Sequence, residues 1–445
     1  MSQTPTTLKR TLGLPSAVFF GLAYMVPLTV FTTYGIVTQV TSGHLPMAYV
    51  FTLAAMFVTA LAYANMVKAF PIAGSAYTYT QQSFGPNIGF MAGWALLLDY
   101  LFLPMINFMV IGLYLNAAVP GLPVWLIIIV TILLVTVMNV LGIKVAASLN
   151  SALVGIQAVF IVVFAVMSFA TISGYAEVIS PLEPFRNADF EFTAVAAGAA
   201  ILCLSFLGFD AVSTLSEETK EPMKTIPRAI VICTLSAGAV FIFISWVGHM
   251  VFPDYGSFTD ADTAAVDVMT QAGGAFLAAF FTAAYVSGAT ASAIASQVSV
   301  SRILFSMGRD GVLPRRIFAV LHKRFRTPYV AALIVGGVSL LALVFPLELA
   351  SSMISFGALI AFSFVNLSVL KHYAINQGRY RGYDGVKYVA LPVIGVGLCL
   401  WLWTSLTAET FMVGLGWVAV GFAWLLVITR GLRQRAPQLD LTETT

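Results

Sequence analysis

Two carboxylates stand where a charge is hard to keep. Asp99 lies about a dozen residues into an apolar run over roughly 87–118, near mid-membrane at helical rise. Asp210 lies in another run, over roughly 192–216, just after Gly208 and Phe209. An ionisable group at such depth costs on the order of 2.5–3.5 kcal/mol. No Lys or Arg sits at comparable depth to pair with either acid. A proton, a metal cation or a cationic substrate is therefore needed to neutralise them. Two quieter roles compete. Asp210 can cap the second half of a broken helix through nearby N–H groups. Asp99 can hold helices together as a neutral carboxyl.

Aromatic and hydroxyl residues accompany the acids. Tyr100 and Asn107 share one helix face at i, i+7. A tyrosine offers its ring to an ammonium and its hydroxyl to a hydrogen bond. Phe206 and Phe209 flank a Gly-Asp interruption, and Tyr24 precedes a proline in the first apolar run. Each either packs the core or meets a ligand. Ser287, Thr290, Ser292, Ser296 and Ser299 give a later run a face of small hydroxyls. That face suits close helix packing, or a sodium site completed by backbone carbonyls. His44, His249, His322 and His372 fall at helix ends or in loops and read as interfacial. No metal-ligand spacing occurs among them, and Cys203, Cys233 and Cys399 all lie inside apolar runs. The deep residues supply neither a nucleophile–base pair nor a metal set, so an enzyme is not expected and neither is a cofactor.

The frame around these residues is a membrane one. The hydrophobic fraction is 59% and the charged fraction 9%, whereas soluble domains carry about 25% charged residues. The apolar runs have helical rather than β-barrel length. Twelve are read, at 15–40, 46–67, 87–118, 121–142, 146–172, 192–216, 228–252, 272–306, 328–346, 349–370, 388–407 and 411–430. Charge bias orients them. Lys9, Arg10, Lys68, Lys144, Lys220, Lys224, Arg228, the loops Arg302–Arg326 and Lys371–Lys387, and the tail fall on one face. All but Arg186 of the 22 Lys and Arg share that face. The opposite face carries Glu177, Glu183, Asp189, Glu191, Asp254, Asp260, Asp262 and Asp267, in loops at 173–191 and 253–270. Such loops are solvated, or they concentrate cations at an entrance. The bias implies both termini inside, in a multi-pass membrane protein. The first fifteen residues are polar and the first run is too long for a cleaved signal. There is no P-loop, and no nucleic-acid partner is expected.

Two runs are interrupted in a similar way. The first contains Gly21-Leu-Ala-Tyr-Met-Val-Pro27, and the sixth contains Ser205-Phe-Leu-Gly208-Phe-Asp210. Paired interruptions point to discontinuous helices around a transport site. Odd spacing reverses direction, so the fold class expected is an all-α bundle of twelve transmembrane helices with a five-plus-five inverted repeat. Residues 1–12 then form a tail, 13–172 one repeat, 173–191 an outer loop and 192–372 the second repeat. Helices within 387–430 are an addendum, and 431–445 a second tail. Gly74-Ser-Ala-Tyr77-Thr-Tyr79 reads as a packed loop able to serve an inner gate.

The chain resembles the amino acid–polyamine–organocation transporters over about 13–430. The likeness is carried by Phe70-Pro-Ile-Ala-Gly-Ser-Ala-Tyr-Thr-Tyr79, Gly208-Phe-Asp-Ala-Val-Ser-Thr-Leu-Ser-Glu-Glu218 and Ser301-Arg-Ile-Leu-Phe-Ser-Met-Gly-Arg-Asp-Gly-Val-Leu-Pro314. Leu98-Asp-Tyr-Leu-Phe-Leu-Pro-Met-Ile-Asn107 and Phe356-Gly-Ala-Leu-Ile-Ala-Phe-Ser-Phe-Val-Asn366 bring it nearer the bacterial putrescine importers. The resemblance implies a bacterial inner-membrane location, a site between the first and sixth helices and proton-coupled uptake. Relatives carry an acid where this chain has Thr32, and some carry a lysine where it has Gln157. The two acids are thus the expected proton carriers.

The expectation is a secondary active importer of small organic cations, putrescine or a related amine, working by alternating access. Asp210 and Asp99 supply counter-charge. Tyr100, Phe206, Phe209 and Gly208 contact substrate, with Tyr24, Thr29 and Thr32 at the first-helix break. A proton or sodium ion couples at Asp210, Asp99, Ser287 or Thr290. The alternative is an amino acid permease, as a symporter or an amine/amino acid exchanger. Partners are the small substrate and the bilayer, with a monomer or homodimer as the unit.

Overall fold

The computed structural model describes residues 10–119, 121–175, 179–261, 264–345, 347–404, 406 and 408–437. Lys9, Glu177 and Asp262 lie outside the described residues, as does the side chain of Lys144. Among the described residues the fold is helical, with no strand and one isolated bridge, Leu12 to Thr219. Among the described residues eleven helices are long and apolar enough to cross a membrane. We number the spans by the segments read from the sequence. The first eight are Leu14–Thr32, Leu45–Ala69, Pro86–Asn116, Val124–Leu141, Ser151–Ser173, Phe192–Glu218, Pro222–Val251 and Ala264–Asp310. The tenth to twelfth are Met353–Asn376, Tyr383–Trp403 and Ala408–Ile428. The ninth segment is helical over Tyr329–Leu343, shorter than the rest, and its final turn tightens to a 3-10 helix at Leu340–Leu343.

The third span is the central column. Of its most apolar window 83% is buried, against 17% for the twelfth. It packs between the eighth and tenth spans. Pro104 sits inside it and removes the N–H that would bond the Tyr100 carbonyl. The twelfth span is pinned to the third by a reciprocal pair. Trp94 Nε1 donates to the Trp417 carbonyl at 2.9 Å, and Trp417 Nε1 to the Trp94 carbonyl at 2.7 Å.

Four expectations change. Gly74–Tyr79 is not a loop beyond its first residue. A helix runs Ser75–Phe84, because no glycine or proline interrupts it before Gly85-Pro86. The outer segment 253–270 is partly helical. The eighth span begins with a short helical piece at Ala264, set off from its long remainder by a Gly273-Gly274 kink. It buries Ala264, Ala265, Val268 and Met269 at helical spacing, while Asp267 on its other face lowered the apolar signal. The basic loop does not begin at Arg302, since the eighth span stays helical to Asp310 and buries Arg302. His44 and His249 are buried rather than interfacial. The outer loops fold over them, with the His44 ring against Phe190.

Candidate functional site

The site forms where the first and sixth spans break. Pro27 cannot continue the hydrogen-bond ladder and pushes the preceding residue out of the helical region. The helix Leu14–Met25 accordingly ends at Val26, which takes φ 51, and resumes as a 3-10 turn over Pro27–Thr32. A β-branched residue with positive φ is strained by about 1–3 kcal/mol. In the sixth span, helix Phe192–Leu202 tightens to 3-10 at Cys203–Phe206 and opens at Leu207. It resumes as a 3-10 helix over Ala211–Glu218. Gly208 at φ 129 makes this turn. A Cβ there would also strike the Tyr24 ring, so glycine lets the two breaks touch.

The two acids meet at this junction, each 1% exposed. Tyr100 donates its hydroxyl to Asp210 Oδ2 at 2.6 Å, and the Gly208 N–H donates to Asp210 Oδ1 at 3.3 Å. Among the described residues Asp99 Oδ1 has no hydrogen-bond partner, and neither has the Tyr24 hydroxyl. Tyr24 and Tyr100 face each other with ring centroids 6.2 Å apart. Among the described residues neither acid has an ion-pair partner. Buried polar atoms are normally paired. A carboxylate oxygen and a phenol left open beside a bonded carboxylate form a dry acceptor set, suited to a ligand that brings N–H donors.

The other residues singled out from the sequence divide. Asn107 donates to Ser292 Oγ at 2.9 Å, and Ser292 donates to the Tyr24 carbonyl at 2.8 Å. This chain ties the third and eighth spans to the first-span break. Thr32 meets the Tyr285 hydroxyl at 2.5 Å, one step toward the acidic end. Phe209 packs edge-on to Tyr63 at 5.8 Å, whereas Phe206 packs against Phe241 of the seventh span at 5.1 Å. Thr29 bonds the Met25 and Val26 carbonyls. Ser287 and Thr290 are half-buried and bond carbonyls of their own helix. The eighth-span residue at the break is Ser292, not either of those.

Sequence reasoning gave no role to Tyr63 or Ser213, and read Ser75 and Tyr79 only as part of a loop able to serve an inner gate. All four are buried, and among the described residues their hydroxyls have no hydrogen-bond partner. Tyr63 lies close to Ser75, Tyr79 close to Ser213, and both tyrosines lie in the field of Asp210. They extend a column of hydroxyls from the acids toward the basic end. No spacing rule marks an isolated tyrosine in an apolar helix. Gln157 is wholly buried, and among the described residues neither of its amide atoms has a partner. It approaches Gly288, where an added Cβ would also meet Val26 at 2.8 Å.

Both ends of the site are shut. Toward the acidic end Phe31 packs edge-on to Phe164 at 5.5 Å and Phe281 at 5.4 Å. Toward the basic end Arg302 pairs with Glu218 at 2.5 Å, both buried, and Arg309 pairs with Glu217 at 2.9 Å. Tyr77 donates to Asp310 at 2.5 Å, and Gln81 to the same oxygen at 3.2 Å. The N–H groups of Thr11 and Leu12 donate to the Glu218 carbonyl at 2.8 and 3.0 Å. Lys220 N–H donates to the Leu12 carbonyl at 2.9 Å.

Comparison with known proteins agrees in kind. The family model described as amino acid permease matches residues 16–427. The low-affinity putrescine importer PlaP of Escherichia coli K12 is 40% identical over 447 residues, covering 98% of this chain and 98% of its own. The methylthioribose transporter of Bacillus subtilis is 28% identical over 93% of this chain and 92% of its own. The branched-chain amino acid permease BcaP of Bacillus subtilis is 25% identical, over 95% and 94%.

Proposed function

The chain belongs to the amino acid permease family, and from that premise we propose that it imports putrescine or a similarly short diamine. It is a membrane transporter and not an enzyme. One observation carries the substrate reading: two buried acids share one site, and among the described residues no cationic side chain is paired to either. A ligand with an ammonium at each end supplies both counter-charges and the missing N–H donors. Tyr24, Tyr100 and Phe209 offer ring faces to its alkyl chain and ammonium ends. The first-span break is poorly furnished for a carboxylate. Val26 N–H is engaged with the Leu22 carbonyl and Thr29 N–H with the Val26 carbonyl. Pro27 has no N–H, and the Gly208 N–H faces Asp210. The 40% identity to a putrescine importer supports the same reading.

The charge bias supports twelve spans with the basic end in the cytoplasm of a bacterial cell. The matched interruptions support an inverted pair of five-span repeats, 13–172 and 192–372, with the last two helices outside them. A dication gains about 4.6 kcal/mol per 100 mV of inside-negative potential, so entry is concentrative without tight ion coupling. Where a proton does couple, Asp99 and Asp210 carry it, and the hydroxyls of Tyr63 and Tyr79 lie along its way out.

The test is a thermal-shift panel on the purified chain with putrescine, cadaverine, spermidine, ornithine, lysine and neutral amino acids. A ligand that binds only the folded state raises the melting temperature by mass action. Diamines should stabilise and their carboxylated counterparts should not. Asp210→Asn should remove the putrescine shift and Asp99→Asn should weaken it. Stabilisation by amino acids alone would overturn the reading in favour of an amino acid permease.

A further inference from the structure

A second charged cavity lies at the basic end, apart from the acid pair. It holds about 500 Å³ between the second span and the starts of the seventh and eleventh. Its wall is of two kinds. Leu61, Val231, Ile232 and Leu391 give it an apolar side, drawn from membrane-spanning helices. Lys68, Lys224, Arg228 and Lys387 give it a cationic side.

The cations are poorly neutralised. Lys224 pairs with Glu221 at 3.0 Å, and Glu221 also attracts Arg228 from farther off. Among the described residues Lys68, Arg228 and Lys387 form no ion pair. Lys68 feels both Arg228 and Lys387 as like charges. Asp384, three residues before Lys387, is taken by Arg379 at 2.9 Å. The Tyr388 ring lies 4.8 Å from the Lys387 ammonium, which leaves that charge uncancelled. Like charges gathered at one cavity repel unless an anion bridges them.

A soluble anion would meet the charges but not the apolar wall. A fatty chain would meet the wall but not the charges. We propose that this cavity binds one anionic phospholipid, its phosphate among Lys68, Arg228 and Lys387 and an acyl chain along Leu61, Val231 and Leu391. Basic pockets between helices at a membrane surface bind such headgroups. The site does not depend on which substrate the acid pair takes. The seventh span starts at Pro222, just after the ion-paired Glu217 and Glu218. A lipid held there bears on the segment that shuts the basic end.

The full chain is purified in neutral detergent and titrated with phosphatidylglycerol, phosphatidylcholine or inorganic phosphate. Melting temperature and native mass spectrometry are the readouts. Phosphatidylglycerol should give a saturable stabilisation and a one-to-one adduct, and the other two should not. The triple variant Lys68→Gln, Arg228→Gln, Lys387→Gln should bind at least tenfold more weakly. If that variant fails to fold, Lys387→Gln alone should bind severalfold more weakly. Equal stabilisation by phosphatidylcholine would overturn the proposal, and so would an unsaturable ladder of adducts on the unaltered chain. An effect reproduced by inorganic phosphate would make this a soluble-anion site instead. Undiminished affinity in the variants would place the lipid elsewhere.

Discussion

The two ends of the acid pair are closed by opposite chemistry. The acidic-end cover is built of rings, with Phe31, Phe164, Phe281 and Tyr285 in contact and one hydroxyl pair between Thr32 and Tyr285. The basic-end seal is built of ions, with Arg302–Glu218, Arg309–Glu217 and the Tyr77–Asp310 bond. Ring contacts are worth about 0.5–1.5 kcal/mol each and can be surrendered one rotamer at a time. A buried ion pair cannot be half broken. Losing one partner leaves an uncompensated charge, at about 3–5 kcal/mol. The cover therefore yields by degrees and the seal as a unit, once water reaches its charges.

That contrast can be broken most forcefully at Arg302. Glu218→Gln strips the buried guanidinium of its counter-charge and should lower stability by about 3–5 kcal/mol. Reversible unfolding in detergent measures it. Replacing both partners with Leu and Met should recover most of that loss. A double variant as unstable as the single would show that the pair is not the element holding the seal. Next in size is Tyr77→Phe. It deprives buried Asp310 of its 2.5 Å donor and should cost about 1–3 kcal/mol. Gln81, already bonded to the same oxygen, holds the loss toward the low end, so Gln81→Leu in that background should add to it. Smallest is Tyr285→Phe in the cover. It removes only the contact with Thr32 and should cost about 0.5–1.5 kcal/mol. Substrate uptake should persist at near-normal affinity. A loss matching that of Glu218→Gln would mean that the cover is a polar lock after all.

Much of the frame was legible in the sequence, because its signals are local. Span length and charge bias located the helices, and Gly208 and Pro27 marked the breaks. Depth alone singled out Asp99 and Asp210. What stayed hidden depends on contact between distant segments. Glu218 and Arg302 are separated by 84 positions, and each read as an ordinary residue at a span boundary. Tyr63 resembled any aromatic in a packed helix. Ser292 could not be told from Ser287 or Thr290 until the helix rotation was known. Gly74–Tyr79 looked like a loop because its polar composition outweighed its lack of helix breakers beyond Gly74.

The short pairing between Leu12 and the strand-like turn at Thr219 has a use of its own. Thr11, Leu12 and Lys220 each place an amide proton in the bonds that join the two broken helices where they leave the bundle. Those protons are shielded only while the two segments stay together. Their exchange with deuterium should be slow and should accelerate in concert, so the molecule carries its own stopwatch for each parting of that end.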